Sequence, residues 1–169
     1  ALQRLFHHEG ERAVGRAAEA FNTLFGISSL ATVGIEEIAE KIRTPKIFQL
    51  YYHKDKALTW SMIDRCLDAG FDALALTVDT IVGGNRERDL WTGFTSPPKL
   101  TPSSLLSFAT HPSWTLNYLL RDPFELSNLR DHVAEGSKIS ISVSDYFSRM
   151  LDQSMDWDAA AEVRRRWGK

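Results

Sequence analysis

The sequence predicts a parallel α/β fold, and three observations carry that prediction. Short apolar runs alternate with amphipathic helical stretches, in the order strand, helix, strand, helix, strand, between residues 24 and 78. The links between them are short, and such an alternation builds parallel sheets. Each run also turns polar on one face near its C-terminal end: Ser28, then Gln49 with Tyr51, then Thr77 with Asp79. Enzymes built as α/β barrels place their active sites at that end of the strands. A doubly wound sheet competes as an architecture. However, no GxGxxG follows any of the runs, and Gly83-Gly84 is too little to supply one.

The elements follow in order. Glu9 to Ala20 reads as a helix, with Ala13, Val14, Ala17, Ala18 and Phe21 on one stripe. His7-His8, just before it, read as surface residues rather than metal ligands. Leu24 to Ser29 is a short strand ending in hydroxyls. Ile35, Ile38, Ala39 and Ile42 then repeat at helical spacing until Thr44-Pro45 stops the helix. Lys46 to Tyr52 is the second strand. Asp55 is placed to cap the helix that follows, whose stripe is Leu58, Met62, Ile63, Cys66 and Leu67, and Gly70 is placed to end it.

The third strand, Ala73 to Val78, reads as buried on both faces. It opens the stretch Phe71 to Phe94, where Arg86, Glu87, Arg88 and Asp89 follow a strand-end carboxylate. Alone, that run is a solvated charge cluster; beside the strand ends, it is the mouth of a site. Ser96-Pro97-Pro98 and Thr101-Pro102 mark a turn-rich loop. Leu105 to Leu120 reads as short helical pieces around Pro112, Asp122 to Ser142 as irregular, and Val143 to Leu151 as a short helix. Asp156 caps a last helix through Trp167. One domain over 1–169 is expected, divided into βα units (1–94), a long loop region (95–155) and a helix (156–169).

Composition narrows the function. A 43% hydrophobic, 25% charged chain is globular rather than disordered, and a net charge of −2 gives no long-range pull on nucleic acid. Cys66 is the only cysteine, which excludes an internal disulfide and a Cys-rich zinc site, and no metal site is predicted. No apolar run approaches the length of a membrane span, and no signal peptide opens the chain. Both ends read as cut from a longer chain: Ala1 stands close before a helix and Lys169 close after one.

The blocks EEIA, FQLYYHKD, LALTVDT, RERDL and GFTSPPKLT, in this order, resemble the FMN-dependent L-2-hydroxy acid dehydrogenase and oxidase family. L-lactate dehydrogenase, glycolate oxidase and mandelate dehydrogenase belong to that family. The resemblance implies a (β/α)8 TIM barrel about twice as long, of which this chain supplies roughly strands 2–4 with their helices. It implies FMN as cofactor and oxidation of an L-lactate-like 2-hydroxy acid to the 2-oxo acid. The family's histidine base, flavin-side lysine and glycine-rich phosphate site have no counterpart among these 169 residues, so the chain alone is expected to be inactive.

Carried over residue by residue, the resemblance makes Ala1, Ser28, Gln49 and Thr77 contacts of the flavin. It makes Tyr51 a catalytic and substrate-binding phenol, and Asp79 the carboxylate that orients the catalytic histidine. Arg86 becomes a substrate-side guanidinium and Leu30 a pocket-lining residue. These types suit the chemistry. A carboxylate fixes an imidazole's tautomer and favours its charged form, a guanidinium forks onto a substrate carboxylate, and an amide both donates and accepts.

The resemblance further implies a homo-oligomeric full-length protein in the cytoplasm. It leaves peripheral contact with the inner face of the cell membrane through Trp114–Leu120 as an alternative to packing of that stretch on the barrel. From another class, the chain reads as a truncated barrel piece acting only as a subunit or interaction module.

Overall fold

A computed structural model describes residues 1–79, 84–85, 87–93, 100–121, 125–132 and 149–169. Its centre is a three-stranded parallel sheet in the order β1 (Phe25–Ser28), β2 (Lys46–Tyr51) and β3 (Ala73–Thr77). Helices α1 (Glu11–Ala20), α2 (Ile35–Lys41) and α3 (Lys56–Asp68) flank and link these strands. The order agrees with the predicted βα units, with boundaries differing by one or two residues.

Register decides which side chains share a face. Ser28 pairs with Gln49, Gln49 with Ala75, and Tyr51 with Thr77. Side chains alternate along a strand, so Ser28, Gln49, Tyr51, Ala75 and Thr77 line one face. Phe25, Ile27, Phe48 and Leu50 line the other and are buried against the helices, β2 alternating buried and half-buried along its length. The core there includes Ile35 and Ile38 of α2 and Met62, Ile63 and Cys66 of α3, with Phe48 meeting Phe71 edge-on at 6.2 Å. Burial pushes the Cys66 thiol pKa up, which makes it a core residue rather than a nucleophile.

One expectation fails here. β3 was expected to be buried on both faces, but all five of its residues are only half-buried. The helices cover one sheet face, and β3 has a strand neighbour on one side alone among the described residues.

The capping residues act as the sequence suggests. The Asp55 carboxylate accepts from Ala57 N at 2.9 Å, and Gly70 takes the left-handed conformation (φ 71°) that ends α3. In the region after residue 79 the short helical pieces expected around Pro112 are present, and a helix at Glu87–Thr92 and a turn at Ser127–His132 add order that the sequence does not predict. The region contains α4 (Glu87–Thr92), α5 (Pro102–Thr110), α6 (Pro112–Leu120) and a 3-10 turn at Ser127–His132. Thr101 and Ser104 cap α5 reciprocally, with Pro102 at its first position. That dipeptide signals a helix start as much as a loop.

Residues 143–148 of the expected Val143–Leu151 helix lie outside the described residues. Leu151 instead forms an isolated antiparallel bridge with His53. Lys54 N donates to Met150 O, Asp152 N donates to Tyr52 O, and the Lys56 ammonium pairs with the Asp152 carboxylate. The chain therefore returns to clamp the C-terminal end of β2. Finally α7 (Trp157–Trp167), capped by Asp156, packs Val163 and Trp167 into the core and joins α3 through Arg166 and Asp64.

Candidate active site

The C-terminal ends of the strands gather the predicted polar residues on one face. Gln49 Nε2 donates to Thr77 Oγ1 at 2.8 Å, so two of the predicted contacts form a linked pair across β2 and β3. Tyr51 is half-buried, one step beyond Gln49 on the same face, and its backbone N donates to Ser29 Oγ at 3.2 Å. Ser28 is 3% exposed; its hydroxyl accepts from Leu30 N at 3.2 Å. Asp79 lies exposed just past the end of β3. Arg86 falls outside the described residues. Ala1 is exposed, and its neighbour Leu2 donates its N–H to Leu30 O at 3.0 Å, bringing the first residues against the loop after β1. Leu30 is 2% exposed and packs within the apolar core, so its side chain faces protein.

Asn128 is a supporting residue that the sequence reading missed. It is 1% exposed on the 3-10 turn, accepts from Ile35 N at 3.2 Å and donates to Ser28 O at 3.3 Å. One amide thus ties the tip of β1 to the start of α2. A lone Asn in a stretch without periodicity gives no local signal for that role.

The face suits a planar heterocycle carrying amide-like edges. Gln49 has further donor and acceptor capacity, Thr77 a hydroxyl and Tyr51 a phenol, while Ala73 and Ala75 leave space beside them. On β2 and β3 this face is half-buried rather than sealed, as a surface that receives a ligand must be, while Ser28 on β1 is buried. This donor set fits a flavin ring.

A second group of polar residues lies elsewhere. A cavity of about 380 Å³ runs between the N-terminal segment and α6, lined by Arg4, His7, His8, His111, Trp114 and Arg121 among others. His7 is exposed and His8 partly buried, with ligand atoms of His7, His8 and Glu9 within 4.8 Å of one another. Their surroundings oppose a cation. Arg16 pairs with Glu9 at 2.7 Å and holds its carboxyl below the usual range, and two arginines line the same cavity.

Helix α6 forms one wall of this cavity, and α5 packs against α6. Trp114 stacks between Phe108 and Tyr118 and donates its indole N–H to Leu5 O at 2.8 Å. Leu105, Leu106, Leu116, Leu119 and Leu120 are each more than half exposed.

Comparison with known proteins matches the chain to one family. The profile of the FMN-dependent dehydrogenases covers residues 1–169. A putative L-lactate dehydrogenase of Mycobacterium tuberculosis is 34% identical over 165 residues, covering 97% of this chain and 38% of that protein. Glycolate oxidase of Spinacia oleracea is 45% identical over 101 residues, covering 60% of this chain and 27% of that protein. The crystal structure of the monotopic membrane protein (S)-mandelate dehydrogenase superposes with a TM-score of 0.87 at 28% identity, covering 99% of this chain and 44% of that one. This chain therefore spans less than half the length of these relatives.

Proposed function

The chain belongs to the FMN-dependent dehydrogenase family, and we propose on that premise that it supplies part of the active site of a full-length 2-hydroxy acid dehydrogenase or oxidase. The substrate is an L-lactate-like acid and the product its 2-oxo acid. The observation that carries this reading is the linked polar face at the strand ends, where Ser28, Gln49, Tyr51 and Thr77 share one side of the sheet.

Bound FMN would supply the hydride acceptor for oxidation at the substrate's hydroxyl carbon. The residues of this chain bind and orient. Gln49 and Thr77 would hold the flavin edge, with Ser28 and the backbone at Ala1 beside them. Their mutual hydrogen bond keeps the Gln49 amide in one orientation before the ligand arrives. The Tyr51 phenol would donate to the substrate oxygen, and Arg86 would pair with its carboxylate. The substrate's hydroxyl proton passes to a histidine from the remainder of the protein. Asp79, exposed at the mouth of the site, would fix that imidazole's tautomer and favour its charged form.

Assay of the full-length protein on L-lactate, glycolate and L-mandelate tests this reading. Asp79→Asn should lower kcat about 10²- to 10⁴-fold. Full activity in that variant would remove Asp79 from the mechanism. We also propose that the 169-residue chain has no turnover by itself; oxidation of L-lactate by the isolated chain with FMN would overturn this.

A peripheral membrane contact through α5 and α6 is the second proposal. Their exposed leucines support it, as does the likeness to a monotopic membrane protein. No helix among the described residues is long and apolar enough to cross a membrane. Cosedimentation with anionic vesicles, lost in the Leu119→Ser, Leu120→Ser double variant, is the expected result; binding that survives the change would rule out these leucines as the contact.

A further inference from the structure

Among the described residues, the active-site reading leaves a fully buried carboxylate, Glu11, unused. Glu11 opens α1 and is 0% exposed. Its Oε1 accepts from Thr32 N at 3.1 Å and from Gln3 N at 3.5 Å, and its Oε2 accepts from Thr32 Oγ1 at 2.5 Å. The Thr32 hydroxyl in turn accepts from Arg4 N at 3.3 Å. One carboxylate therefore gathers donors from two separate stretches of chain, Gln3 and the loop that follows β1, with Arg4 joined through the Thr32 hydroxyl.

The backbone around it is shaped to the same end. Gly10 immediately precedes Glu11 with φ 51°, and a Cβ there would come within 2.5 Å of Arg4 Cγ and 3.3 Å of Thr32 Oγ1. Only glycine lets the entrance of α1 press so closely on both stretches. Burying a carboxylate is costly unless several donors meet it, and the N-terminal turn of a helix adds favourable partial charge. Apolar residues of similar shape would fill this volume without that cost. What they would not supply is a fixed register between the two stretches.

We infer that Glu11 is a positioning residue that locks the segment Ala1–Arg4 to the loop Ser29–Thr32, so that both present one fixed backbone edge to the cofactor. This rests on the flavin reading above. Two proposed flavin contacts adjoin the lock along the chain: Ala1 opens the first segment and Ser28 directly precedes the loop. Leu30 links both to it, receiving a hydrogen bond from Leu2 N at its carbonyl and giving one from its own N to Ser28 Oγ.

The test uses the full-length protein with Glu11→Ala, Glu11→Gln and Thr32→Val. Two readouts are taken, amide hydrogen exchange at Gln3, Arg4 and Thr32, and the FMN dissociation constant with the flavin absorption spectrum. Thr32→Val keeps the volume and removes only the hydroxyl, so it remains informative if Glu11→Ala fails to fold.

Thr32→Val should speed exchange at Arg4 about tenfold, with Met62 and Ile63 in α3 unchanged. It should also weaken FMN binding several-fold and shift the flavin spectrum. Glu11→Ala should weaken binding about tenfold, and Glu11→Gln, which keeps the shape and one acceptor, should restore most of it. Faster exchange with unaltered FMN affinity and spectrum would overturn the positioning role, and so would unchanged exchange. A wild-type protein that takes up no FMN would overturn the flavin reading and the positioning role with it, while the exchange pattern separately reports whether the lock exists.

Discussion

Two regions of this molecule are built from similar residues and end in opposite environments. Helix α3 buries Leu58, Thr59, Met62, Ile63 and Cys66, although Asp64, Arg65 and Asp68 interrupt it. Helices α5 and α6 carry Leu105, Leu106, Leu116, Leu119 and Leu120 with no charged residue, yet neither has a buried residue among those described. Apolar content does not decide burial; a partner surface does. Helix α3 has the sheet on one side and α7 on another, whereas α5 and α6 chiefly have each other. The first region is a scaffold for the strand ends, and the second presents exposed leucines, where the proposed membrane contact would form.

The contrast can be broken most sharply at Phe48. It is 0% exposed and packs edge-on against Phe71, so Phe48→Ala should cost about 3–5 kcal/mol in denaturant unfolding. A smaller loss would mean that the sheet does not organise the fold. Asn128→Ala comes next. It leaves the buried Ile35 N–H and Ser28 carbonyl short of a partner and should cost about 1–3 kcal/mol in the same measurement.

Acid provides a third probe. The Arg12 guanidinium holds the Glu37 carboxyl down at about 2, from 4.5, and Lys56 lowers Asp152 to about 2, from 3.8. Both carboxyls have depressed pKa values in the fold. Their contribution is therefore complete above about pH 4.5 and is lost as the pH falls toward 2. Solvent screening limits each to about 1 kcal/mol. Thermal melting across that window should lose less stability in Glu37→Gln and Asp152→Asn than in the wild type. At the small end, Leu119→Ser should change stability by about 0.5 kcal/mol or less, because that side chain is 69% exposed.

Regular periodicity made the scaffold legible. The spacing in Leu58–Leu67, the Asp55 cap and the polar ends of three strands all placed residues where the structure has them. The family resemblance came from the same blocks. What escaped was long-range or lacked a period. Asn128 reaches Ser28 across 100 positions, and Glu11 reaches Thr32 across 21; no local pattern encodes either bond. The two-faced burial expected of β3 rested on an apolar run, and a run does not reveal which face a neighbour covers. Helix α4 is not legible as a helix: Glu87, Arg88 and Asp89 read as part of the mouth of a site or, alone, as a solvated charge cluster, and hide its helical character.

The central claim is that the polar face at the strand ends holds the flavin. Titration of FMN into the full-length protein and its Gln49→Leu variant, followed by flavin fluorescence, tests it most directly. The account predicts about tenfold weaker binding in the variant with the fold intact, since the amide that donates to Thr77 would also serve the ligand. Equal affinity in a folded Gln49→Leu protein would contradict it and move the flavin off this face.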